Sequence, residues 1–525
     1  MKLRRMIALL AAVSMIAGST GTVFAAGAYS EAEKKAVSAA LEDFSVLYQK
    51  DLDRAEGLLE GGTAVNADLK LELGETVRAL AGMAASMDIS WFSDLGMKYD
   101  VAMNGTMQAV TGSLYVNDTD ICTFEIYMDY ETLTYYVYVP EILPYYLKLS
   151  MTEVYDEESA AVLSMTKQLL ADPLALYPDA QTIKDILDRY LTMLFDGFES
   201  GDSESEALSL NGTDIPVTVY EGAMYEKNAY DMLKGILTTA RDDVQIKEVV
   251  DSWSAVIMPE DSENIYRSLQ SEVDTLLEDM EDGSQISEDQ SAYIASTVWT
   301  DADGKVVGRK LGFVDGEEEN ALFSYRSLQD DTNSDLMISV NADETIVSLE
   351  GTGQIAEGKL EGTYDILVDG RKAAEIGVTD YDIAAMEAGV LNASYTVQLE
   401  PGFVEDEDYN MLTSFALSLD CAVDPETEDT ELVLGVSTSG MELGTLTMTA
   451  GYGEMAELPE LSSLEDVIDL ASEADAEKLV VGLDWTPVKD NCIAAGIPAE
   501  LVEMADEAIR AELFGAEEEE AELIY

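Results

Sequence analysis

Between Tyr293 and Tyr452 apolar and polar residues alternate with a period of two, and this alternation constrains the fold more than any other feature of the chain. In KLEGTYDILVD, Leu360, Tyr364, Ile366 and Val368 face one way while Lys359, Glu361, Thr363, Asp365 and Asp369 face the other. Phe415, Leu417, Leu419 and Cys421 oppose Ser414, Ser418 and Asp420, as Leu446, Met448 and Tyr452 oppose Thr445, Thr447 and Thr449. Successive strand side chains point to opposite sides, so each segment has one apolar and one wet face, as antiparallel sheets do. An earlier set starting at Met97 (MKYDVAMNG, MQAVTGSLYVN, DICTFEIYMDY, LTYYVYVP) reads as a β-meander, with Pro140 and Pro144 punctuating its last strand.

Helical periodicity fills most of the remainder. Ser30-Glu31-Ala32-Glu33 has the form of a capping box and opens a helix to about Leu59 with Val37, Ala40, Leu41, Phe44, Leu47 and Tyr48 on one stripe. Gly61-Gly62 ends it, and a second helical pattern runs from Ala67 to about Met87. Further helices are predicted over Glu158–Leu170, Asp179–Phe195, Tyr230–Thr239, Val244–Ser254, Ser262–Met280, Ser463–Lys478 and Pro498–Phe514. A hairpin, ALSLNGTDIPVTVYEG, turns at Asn211-Gly212.

Roughly sixteen strands at about 4.8 Å each would span about 77 Å if flat, and sheets of that width curl, close or split. The expected fold is therefore α+β: a large curved, half-barrel-like antiparallel β-sheet with amphipathic helices packed on one face. The expected layout is a signal peptide over 1–25, N-terminal helices over 26–90, a β-meander with a helical section over 91–290, an antiparallel strand-rich part over 291–455, and C-terminal helices with an acidic tail over 456–525. An apolar sheet face that the helices leave open would take a ligand, and Leu360, Tyr364, Ile366, Phe415 and Leu417 are the candidate ligand-binding residues.

Charge and the N-terminal segment narrow the function. Lys2, Arg4 and Arg5 precede an apolar run from Met6 to Ala17, and small residues follow, which reads as a secretory signal peptide cleaved after Ala25, with Ala26 as the other choice. The expected product is secreted, extracytoplasmic and without a membrane span, since no later segment holds 18 consecutive apolar residues. The chain has 29 Lys and Arg against 105 Asp and Glu, a net charge of −76. Such a polyanion repels nucleic acid and anionic lipid surfaces. It leaves two partner classes open: an apolar small molecule or lipid, and a cationic protein, cell-wall component or divalent cation.

Histidine is absent, which removes most catalytic triads and most zinc and haem sites. Ser164-Met165-Thr166-Lys167 matches an S-x-x-K motif, but no K-T-G strand accompanies it. Asp301-Ala302-Asp303-Gly304 lacks the first and last ligands of a calcium loop, where Trp299 and Lys310 stand. Tyr127, Tyr130, Tyr135, Tyr136, Tyr138, Tyr145 and Tyr146 read as sheet packing before they read as a platform for glycan or peptide. Cys122, Cys421 and Cys492 are too few for a disulfide framework and read as inert thiols. No catalytic residue, metal site or cofactor is predicted; the expectation is a non-enzymatic binding protein, with an acidic cell-surface interaction protein and a His-free hydrolase as alternatives.

Trp91-Phe92 leading into MKYDVAMNGTM, the hairpin-then-helix VTVYEGAMYEKNAYDMLKGIL, and VWTDADGKVVGRKLGF together resemble LolA-like and mycobacterial-type lipid-carrying lipoproteins over about Asp88 to Glu454. The resemblance is closer to their uncharacterised secreted relatives in Gram-positive anaerobes. It implies a half-open barrel holding an apolar ligand. Members of that family are often lipid-anchored, whereas Ser19 stands here where a lipobox needs Cys.

Overall fold

The computed structural model describes residues 28–85, 89–151, 173–257, 262–282, 290–316, 318–342, 345–401, 403, 414–424, 427–453 and 458–514. The predicted signal peptide, the helix over Glu158–Leu170 with its S-x-x-K motif, and the acidic tail lie outside them. The helices are α1 (Ala28–Gly61), α2 (Glu75–Ala85), α3 (Ala180–Asp196), α4 (Glu226–Arg241), α5 (Val244–Ile257), α6 (Ser262–Asp282), the short α7 (Ile383–Glu387), α8 (Glu473–Gly482), α9 (Thr486–Ala494) and α10 (Ala499–Phe514). Among the described residues they accompany twenty-one strands, an α+β content carried by open antiparallel sheet. No described helix is long and apolar enough to cross a membrane.

The chain divides into two compact units, each assembled from separated stretches. The first comprises residues 1–56, 172–389 and 395–413, and the second residues 57–171, 390–394 and 414–525. The strands in chain order begin in the second unit with β1 (Thr63–Leu73), β2 (Asp94–Asn104), β3 (Met107–Val116), β4 (Thr119–Asp129), β5 (Thr134–Val139) and β6 (Leu143–Ser150). The first unit carries β7 (Glu199–Ser200), β8 (Glu204–Leu210), β9 (Thr213–Tyr225), β10 (Ala292–Thr300), β11 (Val306–Asp315), β12 (Glu318–Gln329), β13 (Asn333–Ala342), β14 (Thr345–Ala356), β15 (Lys359–Val368) and β16 (Arg371–Asp382). After β17 (Ala393–Leu399), the second unit adds β18 (Phe415–Val423), β19 (Thr430–Thr438), β20 (Met441–Tyr452) and β21 (Val467–Asp469).

In the first unit the ladder runs β8 to β16 in sequence order, every pair antiparallel. Asn211-Gly212 makes the β8–β9 turn as predicted: both have positive φ, 47° and 82°, and Leu210 pairs with Thr213 across it. That backbone matches the right-handed twist of the strands it joins. The start of α1, with α3 and α4, covers one side of β9–β12, where Tyr29, Ala32, Ala36, Leu194, Met232, Met224, Val298 and Leu311 form the main core. Leu210, Val217, Val307 and Leu328 form a second cluster with Trp299, on the opposite side of β9.

Ser30 and Glu33 do not form the predicted capping box. Helix α1 is already under way at Ala28, and the Ser30 hydroxyl donates to Asp196 Oδ1 at 3.2 Å. Glu33, fully buried, pairs with Arg309 on β11, Nη1 to Oε2 at 2.7 Å. Beside it the Tyr29 hydroxyl donates to Ser296 Oγ at 2.7 Å. The Tyr29 ring has room only because its neighbour is glycine: a Cβ on Gly222 would stand 2.6 Å from it. Burial pushes the Tyr29 phenol well above its ordinary value, with Glu33 adding to the shift. Burial likewise raises the Glu33 carboxyl, against the opposing pull of Arg309.

In the second unit the ladder runs β18–β19–β20–β1–β2–β3–β4–β5–β6, with β21 added parallel to β6. Strand β1 replaces the first part of the helix expected from Ala67, whose second part is α2 from Glu75: Ala, Leu, Glu and Lys are good helix formers, but Leu69 and Leu71 here sit in a strand paired on both sides, with β2 and β20. The helix expected over Ser463–Lys478 is likewise replaced in its first half by β21, and a helix begins only at Glu473. Helix α9, unforeseen in the sequence, packs against β4, where Asn491 Nδ2 donates to the Ile121 carbonyl at 3.0 Å.

Candidate functional site

Register in the second unit lines up two rows of side chains on one face. Ala64, Ala102, Ala109 and Tyr127 are successive cross-strand partners on β1, β2, β3 and β4. Two residues along, Asn66, Asp100, Thr111 and Glu125 form the parallel row, which continues to Tyr138 on β5. The first row has three methyl groups where strands ordinarily carry branched or aromatic side chains, so the sheet surface dips there. Leu458 and Pro459 join Ala64, Ala102, Ala109 and Tyr127 of the first row, and Asn66, Asp100 and Thr111 of the second, in lining a cavity of about 410 Å³. Ala102, Ala109 and Tyr127 are buried, whereas Asn66 and Asp100 are exposed, so the polar row borders solvent.

Tyr127 is held rigidly. Its hydroxyl donates to Glu125 Oε2 at 2.9 Å, and the Tyr146 hydroxyl donates to the same oxygen at 2.8 Å. Tyr146 stacks on Tyr138 at 4.5 Å between centroids and lies 6.3 Å from Tyr127. Burial, reinforced by the Glu125 hydrogen bond, pushes the Tyr127 phenol up to about 12 and raises that of Tyr146 as well. Both rings are neutral at any physiological pH. They act as surfaces, and their protons are committed to Glu125. Among the described residues that line the cavity, Asp100 is the one carboxylate and none is a serine, cysteine or lysine.

A second cavity, about 590 Å³, lies in the first unit among Asp242, Val244, Lys247, Asp251, Tyr266, Arg267 and Gln270. Asp243 builds this helix junction: it accepts from the amide of Gln245 at 2.9 Å, from the Tyr190 hydroxyl at 2.8 Å, and from Arg189. Burial opposes its ionisation, but these hydrogen bonds outweigh it and hold the carboxyl below its ordinary value. On the cavity wall Lys247 pairs with Asp251, and Asp242 pairs with Arg241. Among the described residues no group of three or more potential ligands is arranged to hold a metal ion.

The five residues chosen from sequence line neither cavity. Leu360, Tyr364 and Ile366 lie on β15 in the first unit, and Phe415 and Leu417 on β18 in the second. Tyr364 is buried because its ring lies over glycine: a Cβ on Gly351 would be 2.5 Å from it, and one on Gly353 would be 2.4 Å from Leu360. Its hydroxyl bonds Ser334. Phe415 and Ile366 are half-buried, and Leu417 is 55% exposed. The cavity's own signal, alanine at inward strand positions, is visible in sequence at Ala64, Ala102 and Ala109, but only the pairing register brings the three together. The tyrosine cluster divides by strand parity, with Tyr127, Tyr136, Tyr138 and Tyr146 on the cavity face. Comparison with protein-family models and with curated proteins found no match.

Proposed function

We propose that this chain is an exported, non-enzymatic binding protein whose cavity on β1–β4 receives a compact ligand with one apolar face, neutral or cationic in charge. The observation that carries the reading is the row Ala64–Ala102–Ala109 closed by Tyr127 and by Leu458–Pro459, with Asn66, Asp100 and Thr111 along its polar side. Small-molecule sites have this composition, a mostly apolar lining with a few placed polar groups, and 410 Å³ is near the lower end of their size range. A net charge of −76 disfavours anions. The N-terminal basic and apolar segment supports export, and the resemblance to lipid carriers supports an apolar ligand on a sheet face, relocated from β15 and β18 to β1–β4.

The test is titration of the full chain without residues 1–25 with neutral N-phenyl-1-naphthylamine, followed by fluorescence. Enhancement should be saturable, lost in Ala102→Trp and kept in Leu417→Ala. Equal enhancement in Ala102→Trp and the parent would sink the reading. The charge also favours a second reading, attraction of cationic partners by the acidic exterior. Exposed charges are screened beyond about 8 Å at physiological ionic strength, so such binding must weaken steeply with salt.

A further inference from the structure

Resting on the reading above, we infer that the cavity's ligand is a neutral pyranose sugar, one or two rings of a short oligosaccharide. A pyranose ring has the amphipathy that the two rows present: a face of C–H groups and a rim of hydroxyls. The alanine row supplies a shallow floor without side chains beyond Cβ, onto which a flat ring can settle, and Tyr127 supplies an aromatic wall fixed by Glu125. A ring wall of this kind offers an apolar surface without demanding a hydrogen bond, because its hydroxyl is already satisfied.

The polar row fits hydroxyls in particular. Each sugar hydroxyl is at once donor and acceptor. Asn66 offers both functions, Thr111 offers both, and ionised Asp100 accepts only. An acyl chain would leave all three without partners, which is unfavourable wherever binding removes their water. Anionic headgroups meet the field of the whole chain, whereas a neutral sugar does not. The same face then continues through Tyr138 and Tyr146, stacked at 4.5 Å, and strands are about 4.8 Å apart, so a second or third ring would travel across β4–β6 from one aromatic surface to the next.

Isothermal titration of the full chain without residues 1–25 with maltotriose, cellotriose and triacetylchitotriose tests this, together with the monosaccharide of whichever binds. The expected result is saturable binding of at least one trisaccharide, tighter than its monosaccharide. Asp100→Ala, at an exposed position, should weaken it about tenfold or more, the size of a lost hydrogen bond to a charged group. Leu417→Ala, on β18 away from the cavity, should bind within about threefold of the parent, and Ala102→Trp should not bind. The inference is overturned if none of the three binds at 10-millimolar order of concentration, or if binding ignores both Asp100→Ala and Ala102→Trp. The two claims separate cleanly: naphthylamine binding that Ala102→Trp abolishes, without sugar binding, removes the sugar and keeps the site. Naphthylamine binding that Ala102→Trp leaves intact removes both.

Discussion

Replacing Arg309 by Met tests whether the N-terminal helix is locked to the sheet by a buried charge. Glu33 and Arg309 are 0% and 1% exposed, and their charged atoms approach to 2.7 Å. With charge centres about 4 Å apart and an effective dielectric of about 20, the attraction is about 4 kcal/mol. Desolvating the two ions offsets an energy of similar size, so the intact pair contributes little net stability. Removing one partner is a different matter, because Glu33 is then left buried beside Tyr29 with no cation. Arg309→Met should therefore lose about 3–5 kcal/mol, whereas Glu33→Leu combined with Arg309→Met should match the parent or exceed it by about 1–4 kcal/mol.

The sign of the pH dependence follows from the same burial. Burial raises the folded-state pKa of Glu33, so folding favours its protonated form relative to the unfolded chain, and stability linked to it is present at low pH and is lost as pH rises through the folded value. Losing Arg309 raises it further. The deficit of the single variant should shrink as pH falls and the carboxyl neutralises. Urea unfolding followed by circular dichroism, with hydrogen exchange of peptides spanning residues 292–315, reads both effects. A single variant within about 1 kcal/mol of the parent, or a double variant less stable than the single, would refute the argument.

Other expectations are more local. Asp179 caps α3 by accepting from the amide of Thr182 at 2.9 Å, so Asp179→Ala should cost about 1 kcal/mol in urea unfolding. Hydrogen bonds from the Thr182 side chain and amide hold its pKa below the ordinary value, so that contribution is present above about pH 4 and fades as pH falls through the lowered folded value. Gly222→Ala should destabilise by about 1–3 kcal/mol through its clash with the Tyr29 ring, measured as a lowered thermal midpoint. Burial raises the thiols of Cys122, Cys421 and Cys492, so native protein should take up iodoacetamide slowly at neutral pH and faster as pH rises, counted by intact mass. Rapid alkylation of all three at neutral pH would contradict that.

Alternation with a period of two was enough to read β15, β18 and β20 as strands, but burial follows it only in β15, whereas Leu417 on β18 and Met448 and Tyr452 on β20, on the faces expected to be dry, are exposed. Asn211-Gly212 was equally legible, since positive φ at both positions is a local demand that few residue pairs meet. Strand β1 was not: its composition suits a helix, and what makes it a strand is partners on both sides, one of them nearly four hundred residues away at β20. Ser30 and Glu33 failed for a similar reason. Their spacing suits a cap, but Asp196 and Arg309 claim the side chains instead. The candidate site was the least legible part. Alternation says that Leu360 or Leu417 faces away from polar neighbours, but it does not say whether a ring fills the adjacent space, as Tyr364 does over Gly351. Nor does it show that three separate alanines share a row, which register alone decides.

Hydrogen–deuterium exchange of the full chain without residues 1–25, with and without saturating N-phenyl-1-naphthylamine, tests the location of the site most directly. Protection should appear in peptides covering Thr63–Leu73, Asp94–Val116 and Leu458–Pro459, with none over β15 or β18. Protection centred on Lys359–Val368 or Phe415–Val423, with β1–β3 unchanged, would place the ligand elsewhere and contradict the account.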